Sequence, residues 1–294
     1  MLAPLVFTLT GTAGLSDPAP ATVTPFRGVN DLLVDVCWVL RARSWLDGCG
    51  GGVRLHLEVR TAAEQLPWRE VLRPGRALAY GLLTSSEPEL GARLHNGGWG
   101  PHKMGPFGYG APVFPSARRR SGVYAVGGWG SVELGSPLAA VVQAWAASLA
   151  AQRVIDWGGA AFHVDRVQVV EPPSFMSGYA RLRTTTPVVI KGSGRDMDGQ
   201  RVTRQAWLLP TDSEFPVYFT GNLRRKAETL GLDPEVSLER ITWIGAKRAF
   251  AVGDGLKVGA PVEVELRAAP QTLQAVWSWG LGQANSAGFG WVAA

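Results

Sequence analysis

The amino-acid sequence predicts an α+β protein, and three observations lead to that class. The chain has 294 residues, of which 46% are hydrophobic, a length and composition that suit two globular domains. Segments in which apolar and polar residues alternate are followed by segments with a helical period. The order of these segments is similar in the two halves of the chain. The sequence therefore predicts two α+β units in tandem.

The first 52 residues differ in composition from the rest, since they are rich in proline, glycine, alanine and threonine and end in DGCGGG. We expect an N-terminal extension over 1–52, either a part of the working protein or upstream sequence read through an early start. Its beginning resembles the apolar region of a secretion signal but lacks the basic residues that precede one. The chain has two cysteines and no apolar run of about 20 residues, so a cytoplasmic protein without a membrane span is expected.

The first domain is predicted over 53–155 and begins with the strand VRLHLEVR, in which apolar and polar residues alternate. A helix follows in REVLRPGRALAYGLLTSS, and a second helix begins at Pro88, a residue that suits the first helical turn. The long glycine loop NGGWGPHKMGPFGYGAPVFP comes next, and GVYAVGGWGSVEL is predicted to form strands. A helix capped by Ser136, with Pro137 in its first turn, completes the domain.

The second domain is predicted over 156–294. AFHVDRVQVVE reads as a strand, and RLRTTTPVVIK as an edge strand because it contains a proline. The segment WLLPTDSEFPVYFTGNLRRKAETLGL contains a helix that ends near Gly231, and ITWIGAKRAFAV and PVEVELRAA are predicted strands. QTLQAVWSWGLG is either a helix or a strand. The β-α-β-β-α-β order of both halves predicts two tandem ferredoxin-like, or RRM-like, domains.

A glycine-rich loop, GLGQANSAGFG, closes the second domain. Its glycines are Gly280, Gly282, Gly288 and Gly290. The spacing excludes a dinucleotide-binding GxGxxG, whose third glycine would come earlier, and no lysine follows Gly288 as a phosphate-binding P-loop requires. Backbone N–H groups of such a loop can approach phosphates directly, and Gln283, Asn285 and Ser286 supply hydrogen-bonding side chains. The alternative is a tight hairpin in which the glycines only allow packing.

The formal net charge of +5 favours a polyanionic partner. Two basic runs are candidates for contacts with nucleic-acid phosphates: Arg118, Arg119 and Arg120, and Arg224, Arg225 and Lys226. A solvated surface is the alternative for each run. The aromatic residues of the long glycine loop, Trp99, Phe107 and Tyr109, either stack on bases or pack the loop.

The sequence has four histidines, His56, His95, His102 and His163, and none is spaced as a pair of zinc ligands, so no metal site is predicted. His56 and His163 lie within predicted strands, where a structural role is expected. His95 ends a short helix and opens a glycine loop, a suitable position for a side chain that exchanges protons near neutral pH. Its alternative role is that of a cation at a helix C-terminus.

Three segments in this order carry a resemblance: LHNGGWGPHKMGPFGYG at 94–110, TGNLRRKAETL at 220–230 and GLGQANSAGFGWV at 280–292. Together they resemble the RAMP superfamily of CRISPR-associated proteins, and within it the endoribonucleases that cut precursor CRISPR RNA in its repeats. The resemblance covers 53–294. It implies tandem ferredoxin-like domains and cleavage without metal or cofactor, in which the ribose 2′-hydroxyl attacks its own phosphate to leave a cyclic phosphate and a 5′-hydroxyl.

The resemblance also implies a site and partners. His95 matches the catalytic histidine, and Tyr80 stands where some members have a tyrosine that shares the acid–base chemistry or orients the ribose. Lys103 matches the family's lysine only if inserted glycines are allowed for, and His102 competes for that role. CRISPR repeat RNA is the implied partner, and the sequence leaves open a homodimer or a multisubunit effector complex.

Two other functions remain at this point. The first is a non-catalytic RAMP subunit that holds guide RNA, which would keep the closing loop but need neither Tyr80 nor the loop after His95. The second is an unrelated basic α+β protein in which the glycine loop is only a turn.

Overall fold

The computed structural model describes residues 52–120, 122–192 and 207–293. The extension predicted over 1–52 therefore lies outside the described residues, except for Gly52. No helix within these ranges is long and apolar enough to cross a membrane. The described chain forms two α+β units, one after the other.

The first unit is built on a five-stranded antiparallel sheet with the order β3-β6-β1-β8-β7. Its strands are β1 (Val53–Thr61), β2 (Gln65–Pro67), β3 (Gly108–Tyr109), β4 (Arg119–Arg120), β5 (Val123–Ala125), β6 (Gly128–Ser136), β7 (Val154–Trp157) and β8 (Ala160–Val170). Its helices are α1 (Arg73–Ser86), α2 (Pro88–Asn96) and α3 (Ala139–Ala151). Helices α1 and α3 pack on each other, and Trp145 Nε1 donates a hydrogen bond to the Ala79 carbonyl at 2.8 Å.

Strand β8 corrects the predicted domain organisation. The sequence analysis assigned it to the second domain, but it pairs with β1 from Arg54↔Val170 to Arg60↔His163. In a β-α-β-β-α-β unit the last strand returns beside the first, so β8 completes the first sheet. This sheet therefore extends past the predicted boundary at residue 155.

The helix predicted from Ser136 also begins later than expected, at Ala139. Ser136 is still part of β6, and its hydroxyl donates to the Pro106 carbonyl at 2.6 Å while accepting from the Leu138 N–H at 3.0 Å. The serine therefore ties the strand end to the glycine loop rather than capping the helix.

The second unit has a three-stranded antiparallel sheet with the order β12-β15-β9. Its strands are β9 (Tyr179–Arg183), β10 (Ile190–Lys191), β11 (Trp207–Leu208), β12 (Ser237–Ile244), β13 (Arg248–Val252), β14 (Gly255–Gly259) and β15 (Val262–Arg267). Its helices are α4 (Phe215–Leu230) and α5 (Pro270–Trp279). A bridge between Thr184 and Val292 places the last residues beside β9, where a ferredoxin-like unit has its fourth strand.

Two segments of the second unit resolve what the sequence left open. QTLQAVWSWGLG forms helix α5, which begins at Pro270. RLRTTTPVVIK is not one strand, since its two ends belong to β9 and β10. Pro187 lies in the interruption, where its carbonyl accepts a hydrogen bond from the Gly290 N–H at 2.8 Å.

A buried arginine joins the two units. Arg54 of β1 is fully buried, and its guanidinium lies 4.0 Å and 4.1 Å from the ring centroids of Trp277 and Trp291. It donates hydrogen bonds to the backbone carbonyls of Val292, at 2.8 Å, and Trp277, and Glu133 lies 3.8 Å away. Burial lowers the pKa of Arg54 to about 9, which leaves it charged at neutral pH. The first strand of one unit is thus fixed to the last helix of the other and to the residues that follow its closing loop.

Candidate active site

Helices α1 and α2 bring together two of the predicted catalytic residues. The rings of Tyr80 and His95 lie edge to face, with centroids 5.1 Å apart. Gly91 of α2 faces Thr84 of α1 so closely that a Cβ on the glycine would lie 2.6 Å from the threonine Oγ1. This close approach sets the last turn of α2, and with it His95, beside Tyr80. The His95 side chain is exposed, and its Nδ1 lies 3.2 Å from Asn96 Oδ1.

The environment of Tyr80 determines what its hydroxyl can do. The side chain is half-buried and also packs edge to face on Phe107. Burial raises the pKa of Tyr80, and the Arg76 guanidinium, 5.5 Å from the ring centroid, opposes this effect. The phenol is therefore protonated at neutral pH. It can donate a hydrogen bond or a proton, whereas the base of a reaction must come from another group.

The predicted third residue is not part of this pair. Lys103 is exposed, adopts a positive φ of 50° in the turn after Trp99, and does not line the groove that holds Tyr80 and His95. Its competitor His102 is bound elsewhere, with Nε2 2.5 Å from Glu228 Oε2 on α4. The loop between Asn96 and Gly108 thus directs both side chains away from the site.

Arg73 and Arg76 are groove residues that the sequence analysis did not select. A groove of about 770 Å³ runs along α1 to the turn of the β13–β14 hairpin, and its lining includes both arginines, Tyr80 and His95. Both arginines are exposed. The signal was present in the sequence, because residues four apart share a helix face and Arg76 precedes Tyr80 by that distance. The groove offers positive charge next to the Tyr80–His95 pair.

The closing glycine loop lies beside the same pair. Gly105 packs between the closing loop and Tyr80. A Cβ at this glycine would lie 3.6 Å from Ser286 Cβ and 3.7 Å from the Tyr80 hydroxyl oxygen. Two segments 180 residues apart, the loop after His95 and the chain's closing loop, therefore meet at one place. The structure brings together the two parts of the predicted site.

Most of the predicted RNA-binding residues of the closing loop form its internal frame. Gly280, Gly282, Gly288 and Gly290 are buried and have positive φ angles. Asn285 is 4% exposed, and its amide nitrogen donates to the carbonyls of Leu281 and Phe289 at 3.0 Å and 2.8 Å. Gln283 and Ser286 keep partly exposed side chains. The packing alternative therefore holds for the glycines and Asn285, and only Gln283 and Ser286 offer side-chain contacts to a partner.

Of the two basic runs, the second is split by the structure. Arg224 is exposed and Arg225 partly so, but Lys226 is 2% exposed and cannot join a surface cluster. Its Nζ donates to the Gly280 carbonyl at 2.5 Å and to Asn285 Oδ1 at 2.6 Å. Lys226 thus holds the closing loop in place.

The first basic run follows the long loop: Arg118 is exposed, and Arg119 and Arg120 form β4. Two of the aromatic residues before it are not available for base stacking. Phe107 and Tyr109 are buried, and the Tyr109 hydroxyl donates to the Leu72 carbonyl at 2.8 Å. Trp99 is partly exposed, with the Arg93 guanidinium 4.3 Å from its ring centroid.

The structure thus combines two tandem ferredoxin-like domains with a closing glycine loop that packs beside a tyrosine–histidine pair, as the resemblance to RAMP proteins implies. Residues 170–294 match the family model of the CRISPR associated protein Cas6, C-terminal. No curated protein matches the chain. Over these residues, the family match confirms the resemblance to the CRISPR-associated RAMP proteins.

Solved structures agree with this fold. A Cas6-related protein of Pyrococcus furiosus is 14% identical with a TM-score of 0.69, covering 83% of this chain and 98% of that one. A RAMP protein described as binding different RNA substrates is 15% identical with a TM-score of 0.67, over 82% and 98% of the two chains. A CRISPR-associated protein Cas6 is 20% identical with a TM-score of 0.66, also over 82% and 98%. The predicted tandem ferredoxin-like fold is confirmed.

Proposed function

We propose that the protein is a metal-independent endoribonuclease that cuts CRISPR repeat RNA in precursor transcripts. The observation that carries this proposal is the contact between Tyr80 and His95, in a groove lined by arginines and beside the closing glycine loop. A protein that only holds RNA has no need of a proton-exchanging pair at this position.

The reaction requires two proton transfers and stabilisation of negative charge. The 2′-oxygen forms a bond to phosphorus as its proton leaves, and the bond from phosphorus to the 5′-oxygen breaks as that oxygen gains a proton. His95 exchanges a proton with one of these oxygens. Protonated Tyr80 donates to the other or orients the ribose, and Arg76 stabilises the charge on the phosphorane. Arg76 thus replaces Lys103 in the proposed set.

The RNA follows the groove along α1. Arg73 and Arg76 lie one turn apart on its wall, where they face successive phosphates. Gln283 and Ser286 of the closing loop contact the chain next to the cut. Arg118, Arg119, Arg120, Arg224 and Arg225 stay candidates for contacts with a repeat stem, whose phosphates basic side chains bind.

A non-catalytic RAMP subunit that binds guide RNA is the second candidate function. The observation that favours it is the position of Lys103, which the structure leaves outside the groove. A multisubunit effector complex and a homodimer are compatible with both proposed functions.

Cleavage of the repeat RNA from the neighbouring array, in the presence of EDTA, tests the enzyme. We expect the wild type to cut, and His95→Ala to cut at least about 100-fold more slowly, which is the usual contribution of a general acid or base. His102→Ala is the matched control, because His102 lies in the loop that follows His95 but pairs with Glu228.

A substrate with a deoxyribose before the cut site should resist the wild type, since it lacks the attacking hydroxyl. Tight binding of the repeat without cleavage of the all-ribose substrate would contradict the enzyme and establish the RNA-holding subunit.

A further inference from the structure

A second, smaller cavity lies between helix α4 and the closing loop. Its volume is about 140 Å³, well above the ~10–15 Å³ that a cavity needs to hold one water molecule. Its lining includes Asn222 and Lys226 of α4, Trp279, Gly105, and Ser286 of the closing loop. We call this cavity the Asn222 pocket. Gly105 also touches the Tyr80 environment, so the pocket adjoins the proposed cleavage site.

Asn222, one of the residues that line this pocket, has an unused acceptor. The residue is 3% exposed, and among the described residues its Oδ1 has no hydrogen-bond partner. Buried polar atoms are nearly always paired, because an unpaired one loses its bonds to water and gains none. An unpaired carbonyl oxygen on a residue that lines a cavity therefore indicates a ligand that donates a hydrogen bond.

Lys226 presents a donor beside this acceptor. It follows Asn222 by four residues on α4, so the two side chains share a helix face. Its ammonium has three N–H groups, and two donate to the Gly280 carbonyl and Asn285 Oδ1. Burial lowers the pKa of Lys226, and the negative charge of bound RNA acts in the opposite direction, favouring the ammonium form.

A ligand that satisfies both groups must carry an acceptor next to a donor. Phosphate has only acceptor oxygens, so it would bind Lys226 and leave the Asn222 oxygen unpaired. The edge of a nucleobase carries an acceptor beside an N–H group. Proteins read RNA sequence mainly on unpaired bases, through their edges and through aromatic contacts. Trp279 supplies an aromatic wall, and Ser286 a further hydroxyl.

We propose that the Asn222 pocket binds one unpaired base of the RNA, next to the cut phosphate, and reads its edge through Asn222 and Lys226. This inference rests on the proposed function, since it takes the Tyr80–His95 pair as the place where the RNA is cut. The pocket makes the protein selective for one nucleotide position in addition to the shape of the repeat.

The test measures RNA affinity with substrates that cannot be cut. Repeat RNAs carry a deoxyribose before the cut site and, one at a time, an abasic residue at each position around it. Their dissociation constants are compared for the wild type and for Asn222→Leu, which removes the amide but keeps its size. Gln271→Leu, at an exposed position of α5, is the matched control.

We expect loss of the base at one position to weaken wild-type binding about tenfold, in the range of single base contacts. For Asn222→Leu, the abasic RNA and the intact RNA should have the same dissociation constant. For Gln271→Leu, the abasic RNA should bind about tenfold more weakly than the intact RNA, as it does for the wild type. Ser286→Ala is the second variant, with a partial loss at the same position expected. Thermal unfolding of each variant verifies that it is folded.

The proposed base-binding role of the pocket is wrong if, at every position, removing the base weakens binding equally in the wild type and in Asn222→Leu. If native repeat RNA is nevertheless cut by the wild type, the proposed endoribonuclease stands without it. If one position does couple to Asn222 and native RNA is not cut, the pocket is supported and the cleavage proposal fails.

Discussion

At the scale of single residues, two arginines of the groove, Arg73 and Arg76, are proposed to have different roles. Arg76 lies against the Tyr80 ring and next to His95, whereas Arg73 is one turn further along the groove. Both are exposed cations of one helix, so their difference in function follows from distance to the reacting phosphate. In the proposed reaction, Arg76 would stabilise charge that develops in the transition state, and Arg73 would contact a phosphate charge that is present throughout.

We expect Arg76→Ala to lower the single-turnover cleavage rate at saturating RNA by about 100-fold, the usual loss when one charge-stabilising donor is removed. Arg76→Lys should keep part of the rate. Arg73→Ala should weaken RNA binding and leave the saturated rate within a few fold of the wild type. The prediction is wrong if both alanine variants change only the dissociation constant.

Lys226 makes the stability of the RNA-free protein dependent on pH. Burial lowers the pKa of Lys226 in the folded protein well below its ordinary value of 10.5. Between the lowered pKa and 10.5, the unfolded chain binds the proton and the folded chain does not. Stability rises with pH wherever the unfolded state binds more protons. Urea unfolding should show the wild type gaining stability relative to Lys226→Met as the pH rises toward the ordinary lysine pKa of 10.5. A constant difference between the two proteins across that range would contradict this assignment.

At the scale of elements, the closing loop is held by its backbone geometry. Gly290 has a φ of 65°, and a Cβ there would lie 1.8 Å from the Leu281 carbonyl oxygen. Gly231, at the end of α4, has a φ of 69° and open space around its Cα. These two glycines share a left-handed conformation and differ only in what surrounds them.

Gly290→Ala should therefore destabilise the protein by about 3 kcal/mol, the sum of left-handed strain and overpacking. Gly231→Ala should cost about 1 kcal/mol, from strain alone. Denaturant unfolding measures both. Similar losses in the two variants would show that the loop relaxes around an added methyl group.

The elements also show how far sequence reasoning extends. Alternation predicted β1, and Pro88 and Gly231 marked helix ends, because these signals act within one turn or one strand. The place of β8 depends on pairing with β1 about 100 residues away, which local patterns do not encode. His95 and Tyr80 are predicted as site residues mainly through a family resemblance, and the structure shows that their rings are in contact. The orphaned oxygen of Asn222 was not foreseeable, since it exists only after α4 meets the closing loop.

At the scale of the whole molecule, one buried arginine connects the two domains. Arg54 is enclosed by Trp277 and Trp291 and paired with Glu133. Removing the arginine leaves the backbone carbonyls of Trp277 and Val292 without the donor they bind in the interface. The domains are therefore fixed relative to each other by a contact that does not tolerate loss of the arginine.

We expect Arg54→Ala to destabilise the protein by about 3 kcal/mol or more. Arg60→Ala is the matched control on the same strand, because Arg60 makes its ion pair with Asp165 at the exposed surface, where such pairs contribute little. Calorimetry measures both variants. If Arg54→Ala unfolds at the wild-type temperature, the contact is not what joins the domains.

The same contact has a consequence for synthesis on the ribosome. Arg54 is among the first residues of the first domain to be made, yet it bonds to the Val292 carbonyl, 238 residues later. Until Val292 has left the exit tunnel, the Arg54 guanidinium cannot contact the Val292 carbonyl or the Trp291 ring. The β1 end of the first domain therefore stays open and charged until the second domain has been made, so the interface between the domains closes only after both have been synthesised.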